Sequence, residues 1–279
     1  MPHHPSVAIV VLSWNQKDLT LQCLASLVRI AYPSYSIIMV DNGSSDSTVD
    51  AVRSAFPQVM VLALGSNHGF AGGNNVGIRH ALATGAEMVL LLNNDTLVDP
   101  AFLDHLVERA RQEPRSGMVS PKILYHDNPD RIWYAGGSIS MWTGTMRHLG
   151  IRDNDSARYD QPRAVDYATG CCLLVRREVI EALGMLDESY RIYTEDADWS
   201  MRVRRAGYDV LYEPGARIWH RVSVSSGGHL SWFKLRNKFL SNLKFFRRHA
   251  SWYHWLSWPW MSVLVNAVAA LRYLLTARR

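Results

Sequence analysis

The first hundred residues alternate between short, continuously apolar segments and segments in which apolar residues recur every three or four positions. The short segments are rich in β-branched residues, which is typical of strands buried on both faces. We predict such strands at residues 7–12, 36–40, 59–62 and 87–92. Helices are predicted at residues 18–30 and 47–55, from a Gly/Asn-rich loop at 65–73 to residue 80, and from Pro100 onward.

This alternation predicts an α/β domain with a Rossmann-like, mostly parallel sheet and helices on both faces. In such sheets, ligands bind beyond the carboxyl ends of the strands. Polar clusters fall at those ends, at residues 14–15, 41–46, 67–75 and 93–95. The pattern therefore predicts a site for a nucleotide-type ligand at this edge of the sheet.

The alternation weakens after Val119. Residues 123–165 are rich in Gly, Asp and Trp and are predicted to be irregular, with short strands. Beyond them the pattern predicts a strand at 173–175, helices at 177–183 and 195–205, and strands at 209–212 and 216–219.

Charge is unevenly distributed along the chain. The 279 residues include 30 Lys and Arg against 25 Asp and Glu, a formal net charge of +5. The last acidic residue is Glu213, and the chain from Pro214 onward holds 11 Lys or Arg and six of the ten Trp. An acidic body with a basic, aromatic tail indicates an anionic partner, either a membrane or a nucleic acid.

The composition excludes several classes of protein. With 48% apolar and 20% charged residues, the chain resembles neither a disordered nor a fibrous nor a multi-pass membrane protein. Its three cysteines, Cys23, Cys171 and Cys172, fit neither a disulfide framework nor zinc spacing, which favours a reducing compartment. The apolar segment at 7–12 is too short for a secretory signal, so a cytoplasmic protein is expected.

Asp41 is the first candidate for chemistry. It ends a predicted strand, and its carboxylate can accept the N3–H of uracil or thymine, a donor that cytosine lacks. The alternative is ordinary turn chemistry, with Asp46 capping the next helix. The hexapeptide alone leaves both interpretations open.

Asp95 and His220 are candidates for a metal site. Asp95 follows the fourth strand, where a carboxylate can hold a divalent cation against a diphosphate, although a turn before a helix explains it equally well. His220 ends the last predicted strand, and imidazole suits Mn²⁺-like ions. A lone histidine is more often structural.

Glu195 and Asp196 open a predicted helix. The helix dipole would keep an aspartate there ionised and ready to act as a general base. Acidic residues are common in first turns without any catalytic role, and this simpler explanation is favoured by the residues alone.

Together, six motifs resemble the inverting glycosyltransferases of family 2, which have the GT-A fold. They are Ser13-Trp14-Asn15, VDNGSSD at 40–46, NHGFAGGNN at 67–75, LNND at 92–95, TEDAD at 194–198 and Trp219-His220. The match runs from about residue 7 to residue 249 and is closest to the rhamnosyltransferase-type branch, which builds cell-surface polysaccharides.

The resemblance implies a role for each matched residue. Asp41 would read the pyrimidine, in a nucleotide pocket lined by Asn15, Asn67, Gly72, Asn74 and Asn94. Asn93 and Asp95 occupy the family's Asp-x-Asp position, where Asn93 is the weaker, neutral ligand, and His220 matches a late metal ligand. Asp196 matches the catalytic base and Glu195 its acidic neighbour.

The implied reaction follows from these roles. A UDP- or dTDP-sugar would bind with its diphosphate on Mg²⁺ or Mn²⁺ while Asp196 deprotonates a hydroxyl of a glycan or lipid-linked acceptor, and the anomeric centre would invert. Residues 133–170 are expected to build the acceptor pocket. A non-catalytic nucleotide-sugar-binding homologue is the alternative.

The tail is the last feature of the sequence. A catalytic domain is expected at 1–228 and a C-terminal amphipathic, interfacial helical extension at 229–279. The apolar stripe at 231–246 is equally compatible with packing on the catalytic domain and with membrane contact. Residues 250–277 combine Trp and Tyr with an apolar run shorter than the roughly 20 residues of a span. We therefore expect an interfacial helix on the inner face of the cell membrane, and lipid is favoured over nucleic acid.

Overall fold

The computed structural model describes residues 3–190, 192–222, 232–258 and 260–261. Its α-helices are α1 Lys17–Leu27, α2 Thr48–Ala55, α3 Gly69–Ala83, α4 Phe102–Gln112, α5 Arg177–Leu183, α6 Glu195–Arg205 and α7 Trp232–His249. Its strands are β1 Val7–Ser13, β2 Tyr35–Asp41, β3 Met60–Ala63, β4 Met88–Asn93, β5 Thr96–Val98, β6 Ser116–Tyr125, β7 Ile132–Tyr134, β8 Gly137–Ser140, β9 Thr145–His148, β10 Arg163–Ala164, β11 Cys172–Arg176 and β12 Asp209–His220.

One mixed sheet organises the molecule. Its strand order is β10-β12-β6-β11-β4-β1-β2-β3, with β5 paired to β12 and β7 to β6. The strands β4, β1, β2 and β3 run parallel, as do β6 and β12, while β11 lies antiparallel between the two groups. The predicted α/β fold with a mostly parallel sheet is confirmed.

Glycines in α3 allow this helix to lie close to the sheet. A Cβ added at Gly77 would lie 2.3 Å from Val10 Cγ1, and one at Gly73 would lie 2.5 Å from Leu12 Cδ1. Larger residues at either position would push α3 away from β1. The helix begins at Gly69, so the second half of the predicted loop at 65–73 is helical.

Strand β6 was not predicted, and β12 is one strand where two were expected. Both differences arise at one irregularity, where the pairing register of β6 and β12 shifts between Glu213 and Arg217, opposite Pro121 and Lys122. A proline in a central strand is tolerated at such a bulge. The Lys122 ammonium is fully buried because Asp155 and Asp160 pair with it at 2.7 and 2.5 Å. Because Pro121 and Lys122 interrupt the apolar pattern, the sequence did not predict strand β6.

Part of the C-terminal segment packs on the catalytic body. Phe245 and Phe246 of α7 are buried, and Phe245 joins a cluster with Tyr167 and Tyr190. After α7 the chain forms a short 3-10 helix at Trp252–Leu256, so the continuous helix expected from residue 250 does not begin there. No helix within the described parts of the chain is both long and apolar enough to cross a membrane. The expected boundary at 228/229 and residues 262–277 lie outside those parts.

Candidate active site

The pairing register brings the predicted polar clusters to one edge of the sheet. Ser13 at the end of β1 lies beside Asp41 at the end of β2, and Leu12 lies beside Asn93 at the end of β4. These three strands are parallel, so their carboxyl ends meet at the same edge. The polar clusters therefore share one edge of the sheet, and ligand binding beyond these strand ends stays a prediction.

Asp41 has one carboxylate oxygen engaged and one without a partner. Its Oδ2 accepts a hydrogen bond from the Ser44 amide at 2.9 Å. Its Oδ1 is buried and has no hydrogen-bond partner in the described structure. A buried acceptor without a donor is costly, so this atom suits a ligand N–H.

Side-chain amides build a rigid frame around Asp41. Asn42 donates to Asn67 Oδ1 and to the Gly69 carbonyl, both at 3.1 Å, and accepts from the His68 amide at 2.9 Å. This fastens the end of β2 to the start of α3. On the other side, Asn15 adopts a left-handed backbone with φ of 50°, and its Oδ1 accepts from the Ser45 amide at 2.8 Å.

Asp95 and His220 come together because β5 and β12 pair antiparallel. His220 lies opposite Thr96 in that ladder, and the Arg221 amide donates to the Asp95 carbonyl. As a result Asp95 Oδ1 lies 3.1 Å from His220 Nε2, with both side chains nearly buried. The approach lacks hydrogen-bond geometry, so Oδ1 remains without a partner.

The surroundings of this pair favour positive charge. Burial lowers the pKa of the His220 imidazole, but Cys171 and Asp95 outweigh burial and raise it to about 10. Burial raises the pKa of the Cys171 thiol, and His220 opposes that rise. An imidazole binds a metal only in its neutral form, so an ion at this pair would have to displace the proton. The ring of Trp133 packs edge-on against His220, with centroids 4.5 Å apart.

Glu195 and Asp196 form a second, acidic part of the edge. The Gly170 amide donates to Asp196 Oδ2 at 2.9 Å, and the Ala197 amide donates to Asp196 Oδ1 at 2.7 Å. Burial raises the pKa of Asp196, and these amides oppose the rise. Burial and the adjacent Asp196 raise the pKa of Glu195 to about 8, and its Oε2 has no partner in the described structure. Asp196 is therefore the carboxylate of the pair whose ionised form backbone amides stabilise.

Gly170 and Cys171 join the acidic part of the site to the end of β4. The Gly170 amide holds Asp196, and the Cys171 carbonyl accepts from the Asn93 amide at 2.9 Å. These two residues immediately precede β11, whose antiparallel insertion beside β4 places them at the carboxyl edge. Asp196 and Asn93 are thus both held by one short segment of backbone.

Comparison with known proteins identifies the family. A family model described as glycosyltransferase like family 2 matches residues 4–239. The chain belongs to glycosyltransferase family 2. The protein is therefore a glycosyltransferase.

Two relatives show what this glycosyltransferase is similar to. An N-acetylglucosaminyl-diphospho-decaprenol L-rhamnosyltransferase of Mycobacterium tuberculosis is 28% identical over 250 residues, covering 78% of this chain and 77% of the relative. A low-salt glycan biosynthesis hexosyltransferase, Agl10 of Haloferax volcanii, is 25% identical over 274 residues, covering 96% and 84% of the two chains.

Solved structures confirm the GT-A fold. The mannosyltransferase PcManGT from Pyrobaculum calidifontis, in complex with GDP-Man and Mn²⁺, has a TM-score of 0.67 and 19% identity, covering 98% of this chain and 76% of its own. GalNAc-T7 with UDP, GalNAc and Mn²⁺ also has a TM-score of 0.67, at 14% identity. That alignment covers 87% of this glycosyltransferase but only 48% of GalNAc-T7.

The remaining predicted site residues of the glycosyltransferase differ in how their side chains are used. Asn74 is buried and donates to the Phe70 carbonyl, within α3. Gly72 faces Glu188, whose Oε2 would lie 3.7 Å from an added Cβ. The Asn94 amide nitrogen donates inward to Thr20 Oγ1 at 2.9 Å. Asn67 uses its oxygen to accept from the Asn42 side chain and the Gly69 amide, and so supports the frame. Nucleotide contact by these residues stays a prediction.

Several residues that shape the site were not predicted from the sequence. Tyr193 and Thr194, directly before the acidic pair, have φ of 70° and 76°, a left-handed conformation that bulky residues rarely adopt. Such strained backbone persists where surrounding contacts hold it, often at functional sites. No sequence signal marks it, because neither residue is Gly, Asn or Asp. Gly170 could have been noticed only as an unexplained glycine before a strand.

Proposed function

We propose that this glycosyltransferase transfers a hexose, with rhamnose the leading candidate, from a UDP- or dTDP-sugar to a hydroxyl of a lipid-linked or cell-surface glycan, with inversion. The proposal rests on three groups that lie at one edge of the sheet. They are the Asp41 oxygen that lacks a hydrogen-bond partner, the Asp95–His220 pair, and the Asp196 carboxylate, which backbone amides hold. They supply base recognition, a cation site and a proton acceptor.

The nucleotide half of the proposal rests on Asp41. Its buried Oδ1 would accept the pyrimidine N3–H, which uracil and thymine both carry. Asn15 and Asn42 hold the surrounding turn in place. Recognition by a single carboxylate oxygen therefore supports either UDP or dTDP as the nucleotide.

Asp95 and His220 fit a divalent cation, either Mg²⁺ or Mn²⁺. An oxygen and an imidazole nitrogen form a donor set that suits Mn²⁺. Among the described residues, no three or more His, Cys, Asp or Glu side chains are grouped to hold a metal. The other positions would thus fall to the donor's phosphates, to water and to the weaker ligand Asn93. The bound ion would offset negative charge on the leaving diphosphate.

Asp196 would act as the base. The acceptor oxygen attacks the anomeric carbon, the bond from that carbon to the diphosphate oxygen breaks with its electron pair, and the acceptor proton passes to Asp196. The amides of Gly170 and Ala197 orient the carboxylate and favour its ionised form. One displacement with one base inverts the anomeric centre without an enzyme nucleophile.

A membrane surface is the proposed location of the acceptor. Trp142, Trp252, Tyr253, Leu256 and Trp260 are between 41% and 78% exposed, and we call them the aromatic surface. Trp142 comes from the β8–β9 turn yet lies 5.7 Å from Tyr253, between ring centroids. Trp and Tyr prefer the headgroup region of a bilayer, and the exposed basic residues Arg236, Lys238 and Arg247 of α7 suit anionic lipid.

A donor screen tests the proposed function. Thermal shifts are measured with UDP-, dTDP- and GDP-sugars, each with and without Mn²⁺, and the product of the best donor is analysed by NMR. Stabilisation by UDP- or dTDP-sugars that requires Mn²⁺, with an inverted anomeric centre in the product, is expected. Binding without turnover on any acceptor would instead favour a non-catalytic homologue.

A further inference from the structure

Helix α7 holds the backbone that leads into the catalytic carboxylates. The Ser241 hydroxyl donates to the Ile192 carbonyl at 2.9 Å. The Thr194 hydroxyl donates to Asn242 Oδ1 at 3.1 Å. These two bonds bracket Tyr193 and Thr194, the pair with left-handed backbone directly before Glu195.

A second contact joins the end of α7 to α6. Asp198 is fully buried and accepts from His249 Nε2 at 2.8 Å, from Arg202 Nε at 3.0 Å and from the Tyr190 hydroxyl at 3.2 Å. Burial alone would raise the pKa of Asp198, but the bonds from His249 and Arg202 hold it below the usual value. Arg205 of α6 in turn donates to the His249 carbonyl at 2.6 Å, at the end of α7.

These contacts lie on both sides of Asp196. On its N-terminal side, α7 fixes residues 192–194, and on its C-terminal side it fixes Asp198. Because left-handed backbone at Tyr193 and Thr194 is intrinsically unfavourable, it needs outside contacts to persist. Helix α7 supplies those contacts from more than 45 residues further along the chain.

We propose that α7 positions the catalytic base, and that Ser241, Asn242 and His249 are positioning residues for Asp196. This rests on the proposed function, in which Asp196 accepts the acceptor proton. The three residues touch neither of the Asp196 oxygens. They hold the loop and the helix that orient the Asp196 carboxylate toward the Gly170 amide. That amide lies at the edge of the sheet where the donor would bind.

Asn242→Leu tests the positioning role with a side chain of similar size. It removes the oxygen that Thr194 bonds, whereas Asn242→Asp keeps an acceptor at the same place. Tyr32→Phe is the matched control, because it removes a buried hydroxyl bond, 2.7 Å to the Pro5 carbonyl, at the opposite edge of the sheet. Each variant is made in the full chain.

Two readouts follow the position of Asp196. The first is hydrogen exchange at the Gly170 amide, which donates to Asp196; it needs no ligand. The second is kcat with the sugar donor that the screen selects, compared with Kd for UDP and Mn²⁺. Asn242→Leu should speed Gly170 exchange and lower kcat about 10-fold to 10²-fold, while Kd changes less than about twofold. Asn242→Asp and Tyr32→Phe should resemble the unaltered enzyme in both.

The outcomes separate this inference from the proposed function. Unchanged Gly170 exchange and kcat in Asn242→Leu would overturn the positioning role, as would losses in kcat, Kd and Tm that Tyr32→Phe reproduces. If Asp196→Asn keeps its turnover while Gly170 exchange still responds to Asn242→Leu, the base assignment fails and the positioning contact stands. Should Asn242→Leu not fold, Thr194→Val removes the same bond from the other side.

Discussion

Asp95 Oδ1 and His220 Nε2 lie 3.1 Å apart although 125 positions separate the residues in the chain, and the pairing of β5 with β12 brings them together. Neither Asp95 Oδ1 nor His220 Nδ1 has a hydrogen-bond partner in the described structure. The pair is therefore built into the sheet, with capacity left for a ligand.

Removal of either residue should weaken donor binding mainly when metal is present. Both Asp95→Ala and His220→Ala take away a proposed cation ligand and leave Asp41 intact. Titration of UDP by calorimetry, with Mn²⁺ and with EDTA, measures this. Equal losses of affinity under both conditions would remove the metal role from these residues.

Asp41→Asn should change the preference among pyrimidines. The new side chain can keep its oxygen on the Ser44 amide, which leaves its NH₂ group where Oδ1 stood. That group donates, so it would repel the N3–H of uracil and suit the N3 acceptor of cytosine. We expect weaker UDP and dTDP binding, and stronger CDP binding, by about 1–3 kcal/mol each for the unsatisfied or newly formed bond.

Competition among UDP, dTDP and CDP checks the Asp41→Asn prediction. Asn42→Asp is a useful comparison, since it alters the supporting frame and not the proposed contact. If Asp41→Asn weakens all three nucleotides equally, Asp41 supports the turn and does not read the base.

The difference in thermal stability between Glu195→Gln and the natural protein should depend on pH. Because burial and Asp196 raise the pKa of Glu195 from 4.5 to about 8, the fold favours its protonated form. That stabilisation is complete below about pH 4.5 and is lost as the pH rises through about 8. A glutamine side chain cannot ionise, so the Tm of the variant relative to the natural protein should increase across this window.

Turnover of Glu195→Gln at neutral pH should survive, since Gln resembles the protonated Glu that predominates there. Differential scanning calorimetry from pH 4 to pH 9 and a kcat measurement at pH 7 test both statements. A Tm difference that does not vary with pH would show that Glu195 is ionised normally in the fold.

The sequence predicted most of the first half of the fold because its strands are continuously apolar. It failed at β6, where buried Lys122 and Pro121 break the apolar pattern, and at the bulge that β12 makes opposite them. Both depend on pairing with distant partners, Asp155 and Asp160 for the lysine. No local pattern carries that information.

The site was predictable to the same extent. Asp41 and Asp95 lie at strand ends, which the hydrophobic periodicity predicts. The proposed role of Asp196 depends instead on Gly170, more than twenty residues away, and on α7, more than forty residues away. Packing accounts for part of α7, since Phe245 is buried beside Tyr167 and Tyr190, whereas Phe239 and Leu240 are exposed.

The aromatic surface should bind anionic membranes. Each basic residue near an anionic leaflet contributes about 1 kcal/mol, which salt screens, while burial of Trp and Leu is insensitive to salt. Flotation with phosphatidylglycerol liposomes should be strong at low salt and weaker, but not absent, at high salt. Trp252→Ala with Trp260→Ala should reduce the flotation that remains at high salt.

Two controls sharpen the membrane prediction. Met60→Ala removes an exposed apolar residue on β3 and should leave flotation unchanged. An oligonucleotide should not compete with the liposomes. The membrane assignment would be contradicted if the protein did not float with the liposomes, or if it bound the oligonucleotide in preference to them.

The turnover number of Asp196→Asn tests the central claim most directly. The substitution keeps the size of the side chain and removes its ability to accept the proton, so kcat should fall about 10²-fold or more, as expected for a positioned base. The Kd for UDP with Mn²⁺ should stay nearly unchanged, because Asp41, Asp95 and His220 are untouched. A variant that turns over near the natural rate would contradict the assignment of Asp196 as the base.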